Sequence, residues 1–422
     1  MAEGAGPSPR CGIDTVAIAR IERLLRETPE EDLRNLFSPA ELGDSGDGPG
    51  RAASLAARFA AKEACLKLFP RETTRGFLGP ADFSVVRDGY GAPRVECSPA
   101  ALDVLGRHRI RSIALSLSHD RTTASAVALT EPAETAVPFL GKLVYYLLPI
   151  RRSVILANLQ RVFGEAASDA EIRRLAQAHY AHLARLMGEF LLYPWLSAAR
   201  RAALVQVENV ATLDAALERR QGAIVLTGHF GNWEVATAGA LGKSRFAYAR
   251  GRFHFVRRQF KPRWVDALVT RRFRRAGFGT LPKRGALDAI IECLERGDMV
   301  VFPFDQHAGG RDAVQVEFFG HPAGTFRSVA IIAMATGAPV VPAASWREPD
   351  GSHVLRFEEP LRTIECEDVD EGIRRNTRAY NAALERLILR HPEQWWWAHR
   401  RWKVAAGARA AAKMDRSTEE AA

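Results

Sequence analysis

Cysteine is scarce in this chain of 422 residues: the five, Cys11, Cys65, Cys97, Cys293 and Cys366, are scattered with no C-x-x-C pair. That spacing excludes a disulfide framework and the usual cysteine zinc sites, so the thiols read as reduced and cytosolic. The opening MAEGAGPSPRCG has no basic start followed by an apolar run, so no secretory signal is expected. Long apolar runs are missing as well. The most apolar stretch, Ala136 to Ile150, carries Lys142 and is bracketed by Pro138 and Pro149. A spanning helix needs about 20 apolar residues, so this segment is expected to lie in a membrane interface rather than cross it. There is no internal repeat, no heptad array and no nucleic-acid motif, and the arginines are dispersed, which argues against nucleic acid as a partner.

What is present is size and positive charge. At 422 residues and 47% hydrophobic the chain can build two cores. A formal charge of +10 attracts anionic partners, among them an acidic carrier protein, coenzyme phosphates and an anionic membrane surface.

Residues 11–130 alternate helix and strand and close on a β-patterned run, Ser112 to Leu129, interrupted by Ser118-His119-Asp120-Arg121. EPAETAVP, Glu131 to Pro138, then breaks the pattern, so 131–150 reads as a linker with its apolar segment. From Arg151 the chain turns helical and basic, with Leu175, His179, Leu183 and Leu186 at helical spacing. A strand Ala223 to Thr227, a turn and a helix follow. DMVVFPF and APVVPAASW read as buried strands separated by a helix near Ser328 to Thr336, an α/β order. The second domain thus covers 151–403, and 404–422 reads as a flexible tail.

In GIDTVAIARIERLL, Asp14 stands before a helix bearing Arg20, Arg23 and Arg26; alone it reads as an N-cap. The helix RAASLAARFAAKEACLKLF carries Lys62, Glu63 and Lys67, and the i, i+4 spacing puts Glu63 and Lys67 on one face. The apolar flanks of that pair call for a substantially buried helix. GID, RFAAKEACLK, GYGAP and SLSHD stand in the order and spacing of holo-acyl-carrier-protein synthases, which this third of the chain resembles.

That resemblance implies an α+β domain that moves 4'-phosphopantetheine from coenzyme A to a carrier-protein serine. Asp14 and Glu63 would be the Mg2+ carboxylates, hard oxygen ligands of the kind magnesium takes. Lys67 would face the phosphates and assist the serine, and Lys62, Ser118 and His119 would contact the coenzyme. Arg20 and Arg23 would dock the acidic carrier. The family's site lies at a subunit interface, which implies a homo-oligomer. Glu41 to Ala52 reads as a longer, flexible connection than the family needs.

The run AIVLTGHFGNWEVATAGAL reads as strand, turn and helix, with His229 in the turn, Asn232 capping and Glu234 in the first helical turn. Five residues apart, His229 and Glu234 cannot share a regular helix face. From the turn, His229 could act as a general base, with Glu234 reaching back to orient it. His, four residues, then an acid is the signature of glycerolipid acyltransferases. RRSVILANLQRVFGE, TGHFGNWE, LERGDMVVFPFDQHAGG and HPEQWWWAHRRWK resemble, in order, the late acyltransferases of lipid A biosynthesis.

By that resemblance His229 and Glu234 are catalytic in an α/β domain, the donor is acyl-carrier protein or acyl-coenzyme A, and the acceptor is a lipid. Asp305 and Gln306 match the family's Asp-Gln segment, and Gly320 and Thr325 its glycine-rich stretch. Arg271 and Arg272, by charge alone, read as phosphate contacts on the acceptor or as an exposed helix face. In place of the family's N-terminal anchor stands the short segment before Arg151. The resulting expectation is a cytoplasmic protein attached peripherally to the inner membrane. Trp395 to Trp397 and Trp402 suit either a headgroup layer or a packed core.

The sequence therefore reads as a bifunctional transferase of α/β class. The alternative is an acyltransferase whose first domain only docks carrier protein.

Overall fold

The computed structural model describes residues 9–70, 78–218, 222–243, 246, 249–257, 259, 261–283 and 285–403; the tail 404–422 lies outside them. The chain divides into two compact units, Met1–Ala136 with Leu159–Arg174, and Val137–Asn158 with Leu175–Ala422. The stretch Leu159–Arg174, which the sequence assigns to the second domain, groups with the first. There the buried Glu171 meets Arg109 at 3.1 Å.

Strands β1 (Cys11–Ala17), β2 (Phe83–Arg87), β3 (Pro93–Cys97), β4 (Ile110–His119) and β5 (Thr123–Pro132) make one sheet of order β1-β5-β4-β3-β2. All its pairings are antiparallel. One face is covered by the helix Arg51–Leu66, whose alanines are good helix formers and leave room for close approach. Ala56, Ala60, Ala61 and Ala64 meet Ala124, Ala126 and Ala128 of β5 in a core of small side chains.

Gly12 is where the approach is tightest. A Cβ at that position would lie 2.0 Å from the carbonyl oxygen of Ala64, so only glycine lets β1 pass the helix. Two residues on, β1 delivers Asp14 to the end of the helix, where Lys67 meets its carboxylate at 2.6 Å.

The segment from Glu41 corrects the sequence reading. It is not a free connection: Pro39–Asp44 is a helix with a Ser38–Glu41 capping box. Glu41 is fully buried and paired with Lys62 at 2.7 Å. Burial pulls the Lys62 ammonium below its ordinary value even though Glu41 opposes the shift.

In the second unit β6 (Val205–Glu208), β7 (Ala223–Thr227), β8 (Phe253–Arg257), β9 (Phe278–Pro282), β10 (Met299–Pro303), β13 (Val340–Arg347) and β14 (His353–Phe357) form a sheet of order β6-β14-β13-β7-β10-β8-β9. Every pairing is parallel except that of β13 with β14. The central β7 and β10, AIVLT and MVVFP, are apolar up to Thr227 at the end of β7, because helices and loops cover both faces of a parallel sheet. A hairpin of β11 (Ala313–Phe318) and β12 (His321–Phe326) stands apart, packed on the long helix Val369–Arg390. No described helix is long and apolar enough to cross a membrane.

Replacing Gly12 with alanine should cost the first unit about 1–3 kcal/mol, the range for overpacking a close contact. Urea denaturation of the full chain, with circular dichroism, should show an earlier first transition.

Candidate functional site

Parallel strands β7 and β10 lie side by side, with Thr227 opposite Pro303. Each continues two residues past this pair, β7 to His229 and β10 to Asp305. The register therefore sets the two side chains together at the carboxyl ends of the strands, where open α/β sheets build their sites. Nδ1 of His229 meets Oδ1 of Asp305 at 2.8 Å, and the His229 backbone N–H donates to Oδ2 at 2.7 Å. Trp395 Nε1 donates to the same Oδ2 at 2.8 Å. Asp305 is completely buried, whereas the His229 side chain keeps 31% of its surface exposed.

The electrostatics follow from this geometry. Burial disfavours the His229 imidazolium, but the charge and hydrogen bond of Asp305 outweigh it, and the group titrates above its ordinary value. Burial alone would push the Asp305 carboxyl up; the charge and bonds of His229 hold it well below the usual range. With Nδ1 committed to Asp305, Nε2 is the free base, and the side-chain nitrogen of Gln306 stands 3.4 Å from it.

Here two sequence expectations change. The carboxylate on Nδ1 is Asp305, not Glu234. Glu234 sits in the first turn of the helix Trp233–Leu241, while the end of β10 brings Asp305 directly to the ring. Glu234 instead helps line the cavity beside His229. Asp305, in turn, is not a substrate contact, because it is sealed from solvent with its oxygens committed to His229 and Trp395.

The turn that carries His229 is held from several sides. Gly231 has φ +47, and a Cβ there would meet the carbonyl oxygen of Ser345 at 2.4 Å. Gly231 N–H donates to Gln394 O at 3.0 Å, and Trp396 N–H to His229 O at 3.0 Å. Asn232 caps the following helix by accepting the Val235 N–H at 3.2 Å, as its position suggested. Trp395 and Trp397 are fully buried and Trp402 nearly so, which places these three in the core rather than in a headgroup layer, while Trp396 is half-buried. His399 sets its ring 5.0 Å from that of His229, and burial pulls it down to about 4.

His229 opens onto a cavity of about 2220 Å³, well above the roughly 300–1,000 Å³ of common ligand pockets. Part of its wall is an aromatic cluster: Trp233, Phe273 and Phe278 all lie within 5.6 Å of a ring partner around Phe255. Arg257, Lys261, Lys283 and Arg327 add positive charge to the lining. None of these four was legible as a site residue, since nothing local in the sequence separates them from the other basic residues. Arg271 lies elsewhere, exposed on the helix Arg263–Ala276, whose Val269 and Phe273 line the cavity. The side chain of Arg272 lies outside the described residues. Thr325 is buried and accepts from Arg401 at 2.7 Å, and Gly320 makes the β11–β12 turn.

In the first unit Asp14 and Glu63 are half-buried and Lys67 joins Asp14 and the Ile13 carbonyl. Lys62 does not reach this place. Its ammonium is spent on Glu41 and the carbonyls of Phe83 and Pro80, at 2.8 and 3.2 Å. In register, His119 pairs with Ala124 and Ser118 with Ser125, while Val16 and Thr15 pair with the same two residues. Alternation then puts His119 on Asp14's face of the sheet, and Ser118 on the opposite, open face with Thr15. An Asx turn at Asp120, accepting from Thr122 and Thr123, closes the hairpin beside His119. Those bonds bring the Asp120 carboxyl down to about 2. Arg20 and Arg23 are exposed on the helix Ile18–Glu27.

Comparison with known proteins gives two separate matches. Residues 10–128 match the 4'-phosphopantetheinyl transferase superfamily, and residues 128–404 match the bacterial lipid A biosynthesis acyltransferase family. A holo-[acyl-carrier-protein] synthase of Syntrophus aciditrophicus is 37% identical over 28% of this chain and 93% of its own length. The lipid A biosynthesis lauroyltransferase of Escherichia coli is 26% identical over 63% of this chain and 83% of its own. The Helicobacter pylori holo-[acyl-carrier-protein] synthase, solved in complex with coenzyme A, is 31% identical; the match covers 29% of this chain and 99% of that one, with a TM-score of 0.25. The chain is a fusion of two transferases: a holo-acyl-carrier-protein synthase domain of the 4'-phosphopantetheinyl transferase superfamily, followed by a member of the bacterial lipid A biosynthesis acyltransferase family.

Proposed function

We propose that the second unit transfers an acyl chain from a thioester to a lipid acceptor with His229 as general base. The observation that carries this reading is the His229–Asp305 contact of 2.8 Å at the rim of a large apolar cavity. Nε2 takes the proton of the acceptor hydroxyl as its oxygen attacks the thioester carbonyl, and Asp305 stabilises the imidazolium. Collapse of the tetrahedral intermediate breaks the C–S bond, and the imidazolium returns its proton to the leaving thiolate. Gln306, beside Nε2, is placed to meet the reacting groups, the cavity takes acyl chains, and its cationic residues face anionic groups of acceptor or donor.

The donor in this reading is acyl-carrier protein or acyl-coenzyme A, and the acceptor is drawn from an anionic membrane surface. The helix Phe139–Leu147 rests on the second unit through Gly141, where a Cβ would lie 2.3 Å from the Gln177 carbonyl oxygen. It turns Phe139, Tyr146 and Leu147 outward beside Lys142 and Arg151. Exposed apolar side chains with adjacent basic residues suit an interfacial helix. The protein would thus sit in the cytoplasm, peripherally bound to the inner membrane.

For the first unit the reading is transfer of 4'-phosphopantetheine from coenzyme A to a carrier-protein serine. Asp14 and Glu63 fit Mg2+: they offer two carboxylates and leave its other positions to phosphate and water, the usual pattern for this ion. Magnesium held there would neutralise the pyrophosphate charge. Lys67 places its ammonium at the same phosphates, His119 stands on the same face of the sheet, and Arg20 and Arg23 meet the acidic carrier. Ser118, with Ile13 60% and Leu129 46% exposed, belongs to the open face, where a second copy of the chain would pack. Because Lys62 and Ser118 do not converge on Asp14 within one chain, a docking role without arm transfer is the second reading.

Two outcomes test these assignments. Asp14→Asn or Glu63→Gln should abolish the mass gain of an apo carrier protein incubated with coenzyme A and Mg2+, and leave acyl transfer from a pre-armed donor intact. His229→Ala should do the reverse; joint loss in either variant would reject independent sites, and carrier binding without mass gain in the native chain would favour docking.

The raised His229 pKa sets a sign for pH dependence. His229 must be neutral to act, so kcat/KM for acyl transfer should fall on the acid side, with its midpoint above the ordinary imidazole value of about 6.5. Asp305→Asn should move that midpoint to lower pH and reduce the plateau by up to about 10⁴-fold, as loss of a triad acid can.

A further inference from the structure

The turn bearing His229 has supports that touch neither Nε2 nor the cavity. Foremost is Glu189, near the end of the helix Asp169–Leu192, paired with Arg347 at the end of β13. The pair is a two-pronged fork: Arg347 Nη2 donates to Oε2 at 2.5 Å and Nε to Oε1 at 2.6 Å. Arg347 is buried, and its Nη1 lies 3.3 Å from His182 Nδ1, a ring that burial holds well below its ordinary value and hence neutral. His353 approaches Glu189 at 3.4 Å.

Bonds run to the turn from Glu189 and from the main chain of β13 at Arg347 and Ser345. Asn232, the helix cap directly after Gly231, donates from Nδ2 to Glu189 Oε2 at 2.8 Å. The main chain of Arg347 exchanges two bonds with the amide of Gln394, its N–H donating to Oε1 at 2.8 Å and its carbonyl accepting from Nε2 at 2.9 Å. Gln394 in turn accepts the Gly231 N–H, and two residues further Trp396 donates to the His229 carbonyl. Ser345, two residues before Arg347 on β13, donates its hydroxyl to Phe230 O at 3.2 Å. Three segments distant in sequence, the end of a helix, the end of a strand and the C-terminal stretch, thus close around residues 229–232; Glu189 is joined to the strand by its ion pair with Arg347, and the C-terminal stretch by the Arg347 main chain.

We propose that Glu189 and Arg347 are positioning residues, fixing the His229 turn so that Nε2 faces the acceptor while Nδ1 stays on Asp305. The proposal rests on the acyltransferase reading for its kinetic consequence, and on the geometry alone for its effect on the turn. Arg347 is suited to this by its planar fork, which a lysine ammonium cannot reproduce. Arg347 is buried and Glu189 half-buried, so neutralising Glu189 leaves a buried guanidinium uncompensated, and the turn would loosen rather than close around the gap.

The test uses the full chain carrying Glu189→Gln, Arg347→Lys or, as a control for lost stability, Leu384→Ala in the buried face of the helix Val369–Arg390. Two readouts are taken: hydrogen exchange by mass spectrometry over residues 228–236, and thiol release from lauroyl-coenzyme A with detergent-solubilised bacterial lipid as acceptor. Expected for both tether variants is faster exchange in the turn and a kcat lower by about 10²-fold, the cost of an ångström of misplacement, with KM within about two-fold. Leu384→Ala should lower Tm while leaving turn exchange and kcat near those of the native chain. Native turn exchange in both tether variants, or the same losses in Leu384→Ala, would overturn the proposal. If the native chain transfers no acyl group from either lauroyl-coenzyme A or lauroyl-carrier protein, the acyltransferase reading fails, and the exchange experiment still decides the tether.

Discussion

A carboxylate sealed from water has to find donors, and the whole second unit is arranged to supply them to Asp305. The His229 N–H, its Nδ1 and the indole of Trp395 all converge on two oxygens, at 2.7 to 2.8 Å. An unpaired charge at such depth would cost several kcal/mol, so the groups that meet it are fixed in turn. This requirement ties together strands β7 and β10, which bring His229 and Asp305 side by side, and the C-terminal segment, which closes over them. It also determines which nitrogen of the histidine remains available for chemistry.

The same logic recurs on a smaller scale in the first unit. Glu41 and Lys62 are both fully buried, and each is satisfied by the other and by nearby backbone groups. Between them they pin the helix Arg51–Leu66 against β2, and Gly12 lets β1 pass close enough to set Asp14 beside Lys67. Burial thus separates Lys62 from Lys67, the residue that follows the helix. Lys62 is held inside the fold by Glu41, whereas Lys67, half exposed, pairs with Asp14.

Much of the fold was legible because it is local. The strand Ala223–Thr227, the helix beginning at Trp233 with Asn232 as its cap, the β4–β5 hairpin and the helix Arg51–Leu66 all follow from periodicity and capping. Family motifs named both halves for the same reason: they are short runs of neighbours. What sequence could not supply was partnership across distance. Asp305 lies 76 residues from His229, Glu189 lies 158 from Arg347, and no spacing rule links either pair. Glu234, close in sequence, was the natural candidate for the histidine's acid, yet adjacency along a helix turn is weaker than register between parallel strands. Lys62 was misread on the same ground, since only the fold reveals that Glu41 comes to meet it. The exposed or buried state of the tryptophans likewise depends on what the C-terminal segment packs against.

Asp305 governs the His229 imidazole. Nitrogen NMR of the full chain with 15N-labelled histidine, the His229 signals assigned by their loss in His229→Gln, measures it directly. A proton on Nδ1 in the neutral ring and a pKa above the ordinary value are expected, with both features lost in Asp305→Asn and kept in Glu234→Gln. Retention of both in Asp305→Asn, with loss in Glu234→Gln, would contradict it.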